Sequence, residues 1–196
     1  MPVHMPAVFD PGDLNPSFLQ RTRRRFLLTD AALVRIVVAS ACLPVIRSLA
    51  IYVSKLGNGG IYLILPIIVL MRLGRSGLPA IFVAFCSVTL LHCFYPYIKR
   101  RVRRARPFQT DRSLPRLLAV LDEHSFPSGH TMTLSASLMP IVHVLPGTDL
   151  FCVGLVSIMA WARVASAHHY PSDVCVGAFL GGGLSYIASA YLLSPL

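Results

Sequence analysis

The chain has 196 residues, 55% of them hydrophobic and 13% charged, with a mean hydropathy of +0.64. A soluble domain of this size has no interior for so much apolar sequence, so the excess must face lipid. The formal net charge is +10, nearly all the bases are Arg, and they sit in short runs between apolar stretches. That placement points to a membrane surface and an anionic substrate, and nothing resembles a nucleic-acid module.

In chain order, residues 1–15 form a polar, Pro- and Gly-containing tail, expected to be disordered or to lie along the surface. Residues 18–28 mix apolar positions with Arg21, Arg23, Arg24 and Arg25, which suits an interfacial helix. The same run looks like a twin-arginine export signal, but Arg35 and Arg47 interrupt the apolar stretch behind it and no convincing cleavage site appears, so a charged flank for the first span is preferred. A span needs about 20 mostly apolar residues. The candidates are 31–52, 61–73, 78–98, 130–145, 150–167 and 174–193, the second short and the fourth marginal. The expected fold is therefore all-α, a polytopic transmembrane helical bundle of about six spans. It comprises a tail and basic interfacial segment over 1–30 and one transmembrane domain over 31–196.

The five cysteines (Cys42, Cys86, Cys93, Cys152, Cys175) all fall in apolar stretches without paired metal spacing, and read as buried small hydrophobes. The longest connection, 99–127, starts strongly basic and holds Asp111, Asp122 and Glu123; so long a loop in a compact bundle is usually functional. Gly177, Gly181, Gly182 and Gly183 in the last span read as close helix packing.

Three clusters carry chemistry. The run from Lys99 through Arg100, Arg101, Arg103 and Arg104 to Arg106-Pro107 is either a basic flank ending the third span or a phosphate clamp, since Arg forks match phosphate oxygens. Ser125-Phe126-Pro127-Ser128-Gly129-His130 precedes an apolar helix. Free N–H groups at such a start bind phosphate, and His130 could donate a proton to a departing oxygen; a capped helix with an interfacial histidine is the plain alternative. Arg163 is a charge near the end of an apolar span, followed by His168-His169-Tyr170-Pro171-Ser172-Asp173. His169 and Asp173 are four apart, so one helical turn could bring carboxylate to imidazole and leave the other ring nitrogen free as nucleophile; a loop histidine near a helix-start Asp fits equally well. With six spans the 99–130 and 169–173 loops open on one membrane face. Phosphoryl transfer is catalysed mainly by positioning and charge stabilisation, which Lys99, Arg106 and Arg163 could supply without a metal.

At these residues the chain resembles the type 2 phosphatidic acid phosphatase superfamily. Lys99 to Arg106-Pro107, Pro127 to His130, and Arg163 to His169 to Asp173 fit that family's three-part pattern in order and spacing, with Ala162 where the family usually has Ser. The match covers roughly the half of the chain from Lys99 onward. The resemblance implies that Lys99, Arg106, Ser128, Gly129 and Arg163 hold the phosphate. His169, oriented by Asp173, would attack phosphorus to give a phosphohistidine, and His130 would protonate the leaving group and then activate water. It implies no metal and no cofactor, and residues 31–196 become a transmembrane phosphatase domain. His92 and His143 lie outside the pattern and read as structural.

The resulting expectation is an integral membrane lipid phosphatase acting on a phosphomonoester or diphosphate of a membrane lipid. Undecaprenyl diphosphate, phosphatidylglycerol phosphate, phosphatidic acid and lipid A phosphates all remain open. Arg100, Arg101, Arg103 and Arg104 mildly favour a multiply charged headgroup. A lipid phosphotransferase, a vanadate-dependent haloperoxidase-like oxidoreductase and a non-catalytic anionic-lipid binder are the alternatives. The partners are a lipid substrate and the bilayer, not nucleic acid, and oligomeric state is left open. Arg21 to Arg25 with Arg72 and Arg75 suggest a cytoplasmic N-terminus in a bacterial inner membrane, with the active site facing the periplasm or exterior.

Overall fold

The computed structural model describes residues 18–120 and 122–193, and among these every regular element is helical. Eight helices occur in order: α1 (Phe18–Ser40), α2 (Pro44–Leu56), α3 (Gly60–Leu73), α4 (Leu78–Val102), the single turn α5 (Pro107–Thr110), α6 (Gly129–Val144), α7 (Asp149–Ala165) and α8 (Pro171–Leu192). A 3-10 turn, Gly74–Gly77, joins α3 to α4. The tail expected at 1–15 lies outside the described residues.

The expected first span is not one helix. Residues 18–40 form a single helix that absorbs the expected interfacial segment; the chain then breaks, and Pro44 opens α2 as its first residue. The two helices meet at 115°. By length and composition Gly60–Thr110 and Pro171–Leu192 qualify as membrane-crossing, and the bent pair qualifies only jointly. Helices α6 and α7 have 16 and 17 residues, so they rise about 24 and 26 Å, short of a hydrocarbon core of about 30 Å. The protein is an all-α transmembrane bundle; among the described residues two helical stretches are long and apolar enough to cross a membrane, three if the bent pair is one span, against the six expected.

The centre of the bundle is α6 against α8. Helix α6 buries residues on every side, Thr131 through Ala136 in an unbroken run, as a helix enclosed by neighbours does. It tolerates α8 closely because α8 presents Gly177, Gly181, Ser185 and Ser189 at four-residue intervals, all buried. The Ser185 hydroxyl donates to the Ala136 carbonyl across the seam at 2.8 Å. Gly182 makes only ordinary contacts and Gly183 faces open space, so the packing role expected of four glycines belongs to Gly177 and Gly181. Helix α7 enters all three apolar clusters, with Met159 against Leu65 and Leu134, Val164 against Val34 and Val174, and Ala162 against Ala41 and Ala50.

Large apolar side chains cover the outside, among them Leu63, Met71, Phe82, Phe85, Phe151 and Phe179; so much exposed apolar surface requires lipid around it. The cysteines correct the sequence reading. All five are free, but Cys42, Cys86, Cys93 and Cys175 are exposed and only Cys152 is buried.

Candidate active site

Four helix ends meet at one end of the bundle. Helix α4 ends where Arg103 adopts a left-handed conformation and its N–H closes on the Lys99 carbonyl at 2.9 Å. The reversal turns Arg104 and Arg106 inward. Arg106 caps α5, its N–H donating to the Gln109 side chain at 2.7 Å. Ser128 precedes α6, and its N–H donates to the Asp173 carbonyl at 3.0 Å, tying the starts of α6 and α8 together. Gly177 permits this approach, because a Cβ there would lie 2.6 Å from the Thr131 hydroxyl oxygen.

Lys99, Arg106 and Arg163 are 4%, 2% and 6% exposed, three cations almost withdrawn from solvent. Burial of unpaired cations is costly. The structure partners two of them with Asp122, whose Oδ1 accepts from Lys99 Nζ and from an Arg106 terminal nitrogen, each at 2.7 Å, while Oδ2 accepts from the Tyr95 hydroxyl at 3.1 Å. Burial alone would raise the Asp122 carboxyl, but the hydrogen bond and charge of Lys99 and the charge of Arg106 hold it below the usual carboxylate range. Among the described residues, Arg163 Nε and Ser128 Oγ are buried without a hydrogen-bond partner. Such groups are rare in folded proteins, and an oxyanion bound here would supply the missing acceptors.

His169 is buried, and its Nδ1 lies 2.7 Å from the Ser125 carbonyl oxygen. A carbonyl only accepts, so Nδ1 carries the hydrogen and Nε2 keeps its lone pair, 3.3 Å from an Arg106 nitrogen. Burial first, then the Arg163, Arg106 and Lys99 charges, push the ring's pKa well below its ordinary value, so it stays neutral at physiological pH. The expected Asp173 contact to Nδ1 is longer, 3.7 Å. His169 precedes the first residue of α8, so the four-residue helical geometry does not apply to this pair. His168 turns away, with its two ring nitrogens 2.8 and 3.2 Å from the Ser166 and Leu118 carbonyl oxygens. Burial and Arg163 push its pKa down to about 4.

Asp173 is fully buried and has other partners. Its Oδ1 accepts from Arg104 at 2.7 Å and its Oδ2 from the Tyr170 N–H at 2.9 Å. Arg104 also donates to Ser172 at 2.7 Å and to the buried Asp30 of α1 at 2.6 Å, and lies 3.8 Å over the Tyr170 ring. Arg104 is therefore a brace behind the site rather than a headgroup ligand, and α1 is fastened to the start of α8. Across the site, His130 Nε2 lies 2.8 Å from Asn58 Oδ1, in the turn between α2 and α3.

The sequence pattern named Lys99, Arg106, Ser128, Gly129, His130, Arg163, His169 and Asp173, and the fold gathers them at these helix ends. It did not name Asp122, Asn58, Arg104 as a brace, or the Ser125 carbonyl. No spacing marks one of the three carboxylates in a long loop, or an acceptor on the backbone.

One cavity of about 990 Å³ joins Arg106, Arg163, His130 and His169 to an apolar channel between α3 and α4, walled by Leu65, Val69, Ile81 and Phe85 among others. Among the described residues no cluster of His, Cys, Asp or Glu has the makings of a metal site.

The PAP2 superfamily model matches residues 78–194. The decaprenylphosphoryl-5-phosphoribose phosphatase of Mycobacterium tuberculosis (strain H37Rv) is 35% identical over 132 residues, which is 63% of this chain and 70% of that protein. The lipid A 1-phosphatase of Rhizobium etli is 27% identical over 130 residues, 61% of this chain and 56% of that one. The crystal structure of Aquifex aeolicus LpxE superposes with a TM-score of 0.67 at 21% identity, covering 82% of this chain and 94% of that chain. That of the transmembrane PAP2 type phosphatidylglycerolphosphate phosphatase from Bacillus subtilis gives 0.63 at 20%, covering 92% and 89%. At these identities the two structures establish a shared fold.

Proposed function

The chain belongs to the PAP2 superfamily, and on that premise we propose that it is an integral membrane phosphatase that cleaves a phosphomonoester or diphosphate from a lipid through a phosphohistidine. The observation that carries the reading is the continuous cavity linking buried cations and two histidines to an apolar channel. Such a shape accommodates an amphiphile whose phosphate is at one end and whose chain follows α3 and α4.

Lys99, Arg106, Arg163, Ser128 and the N–H groups at the start of α6 hold the phosphate oxygens, and Gly129 keeps that start open to them. A bound phosphate competes with the Asp122 carboxylate for Lys99 and Arg106. The His169 Nε2 lone pair attacks phosphorus, and Ser125 keeps the ring in the tautomer that can. The bond to the leaving oxygen breaks as His130 delivers a proton to it. Water then attacks the phosphohistidine, giving its proton to His130 and releasing phosphate. Asp173 fixes the turn carrying His169, chiefly through the Tyr170 N–H. All positive charge in this scheme comes from side chains, so it needs no metal.

The relatives' names suggest polyprenyl-linked and lipid A phosphates as substrates to try first. In membranes, the basic residues of α1 and of the α3–α4 turn would lie on the cytoplasmic side of a bacterial inner membrane and the site on the opposite side. Impermeant labelling of Arg112→Cys in a cysteine-free background tests this, and failure to label intact cells would reverse the orientation.

The deciding experiment measures inorganic phosphate released from lipid phosphates in mixed micelles and from water-soluble phosphomonoesters, with and without chelator. Release from at least one lipid, much faster than from soluble esters, unaffected by chelator and blocked by vanadate, is expected. Chelator-sensitive activity restored by magnesium would refute the metal-free scheme. Phosphate appearing on an acceptor lipid instead of in solution would make the protein a phosphotransferase.

A further inference from the structure

We propose that Asn58 is the positioning residue for the general acid, fixing which nitrogen of His130 exchanges protons with the substrate. The inference rests on the assignment of His130 as the acid but comes from the α2–α3 turn, outside the matched residues 78–194.

Two independent features of the turn meet the ring. Asn58 Oδ1 lies 2.8 Å from His130 Nε2. An amide oxygen only accepts, so Nε2 carries a hydrogen that it donates to Asn58. Beside it, Gly57 is buried with its missing side chain against the ring, since a Cβ there would lie 2.6 Å from His130 Cδ2. The carbon met is the ring atom next to Nε2, so the turn holds that edge by both contact and hydrogen bond. Among the described residues Nδ1 has no partner. Both residues line the cavity that holds Arg163 and His169.

The protons balance on this arrangement. The imidazolium gives its Nδ1 proton to the leaving oxygen as the phosphorus–oxygen bond breaks, and remains neutral with its Nε2 hydrogen on Asn58. In the second step Nδ1 takes a proton from the attacking water. Among the described residues no other group holds the ring in this tautomer. The charged and titratable groups around His130 are Arg163 and His168 from α7 and the segment after it, Arg106 and Asp122 from the loop after α4, and His169. An oxygen acceptor on Nε2 favours the protonated ring.

The test uses the full-length protein in detergent with two probes, dioleoyl phosphatidic acid, whose alkoxide leaving group needs a proton, and para-nitrophenyl phosphate, whose leaving group does not. Asn58→Ala should lower the rate of phosphoryl-adduct formation, read by rapid quenching, about tenfold with the lipid and less than threefold with the aryl ester, the loss expected for one hydrogen bond to the acid. It should also move the alkaline limb of the lipid pH profile to lower pH. Asn58→Asp keeps the acceptor and adds a negative charge, so it should retain lipid turnover and move that limb to higher pH. Equal losses on both probes, or unshifted limbs in both variants, would reduce Asn58 to a structural role and overturn the proposal while leaving the phosphatase reading intact. If His130→Asn slows formation of the phosphoryl adduct equally from both probes, His130 is not the acid and this assignment falls with that reading.

Discussion

Gly181→Ala should damage both stability and catalysis, and the size of the effect comes from the seam between α6 and α8. A Cβ at Gly181 would lie 2.8 Å from the Met132 carbonyl carbon and 3.1 Å from its Cα, with the carbonyl oxygen closer still. Carbon atoms pack at about 3.5–4.0 Å, so α8 must retreat by roughly 1 Å. The obstacle is the backbone of a buried helix, which cannot rotate aside as a side chain can. Overpacking of this kind destabilises by about 1–3 kcal/mol, and Ala's better helix propensity returns at most about 1 kcal/mol. A net loss of about 1–2 kcal/mol in a chain of this size lowers Tm by roughly 2–8 °C. The retreat also moves the start of α8, which carries Asp173 and abuts His169, and a displacement of about 1 Å at a reacting group can lower kcat by about 100-fold. Gly183→Ala is the control, because nothing lies within 4 Å of its Cβ position; it should melt at or slightly above the wild-type temperature with unchanged activity. Thermal unfolding in detergent, with kcat/KM measured on the same preparations, decides the matter. Wild-type melting and activity for Gly181→Ala, or equal damage from both substitutions, would refute the packing argument.

Asp122→Asn removes the charge that competes for Lys99 and Arg106, so the inhibition constants of phosphate and vanadate should fall by about tenfold. Against the effect of burial, the Lys99 hydrogen bond and the Lys99 and Arg106 charges hold the Asp122 carboxyl below its usual range, so it is ionised at neutral assay pH and the effect should persist there; an unchanged or weaker inhibition would mean the carboxylate assists binding. His169→Asn should abolish turnover of every substrate. His130→Asn, given an activated aryl phosphate, should accumulate an acid-labile, alkali-stable phosphoryl adduct, and peptide mapping of that adduct to any residue but His169 would remove the nucleophile assignment. Arg104→Ala leaves Asp30 and Asp173 as buried unpaired carboxylates, so the protein should lose about 3–5 kcal/mol of stability by denaturant titration, and a loss below about 1 kcal/mol would show that the brace matters little.

Much of the site was legible because its residues are tied to helix ends, and helix ends leave marks in sequence. Pro127, Pro171 and the apolar runs behind them announce the starts of α6 and α8, and the spacing of Lys99 and Arg106 brackets the end of α4. The groups that were not legible act through atoms or distances that spacing does not encode. The partner of His169 is the carbonyl of Ser125, and every residue has a carbonyl. Asn58 is a neutral side chain 72 positions from His130. The i,i+4 argument for His169 and Asp173 assumed a helix through both, whereas the helix begins at Pro171. Hydropathy over 31–52 likewise sums apolar residues without sensing the break before Pro44, so it merged two helices at 115° into one span.

The basic run after Lys99 admitted two readings, a phosphate clamp and a membrane flank, and the fold divides it between three duties. Lys99 and Arg106 are buried against Asp122, with Arg106 lining the cavity, Arg104 is part-buried in the brace to Asp30 and Asp173, and Arg100, Arg101 and Arg103 are exposed. Helical periodicity alone cannot produce this division, because Lys99 and Arg103 lie one turn apart and would share a face if α4 continued. The left-handed residue at Arg103 ends the helix at that point and reverses the chain, so Arg104 and Arg106 point back toward the site while Arg103 stays outside. A backbone conformation at one residue therefore decides which charges after it turn inward and which stay on the exposed surface.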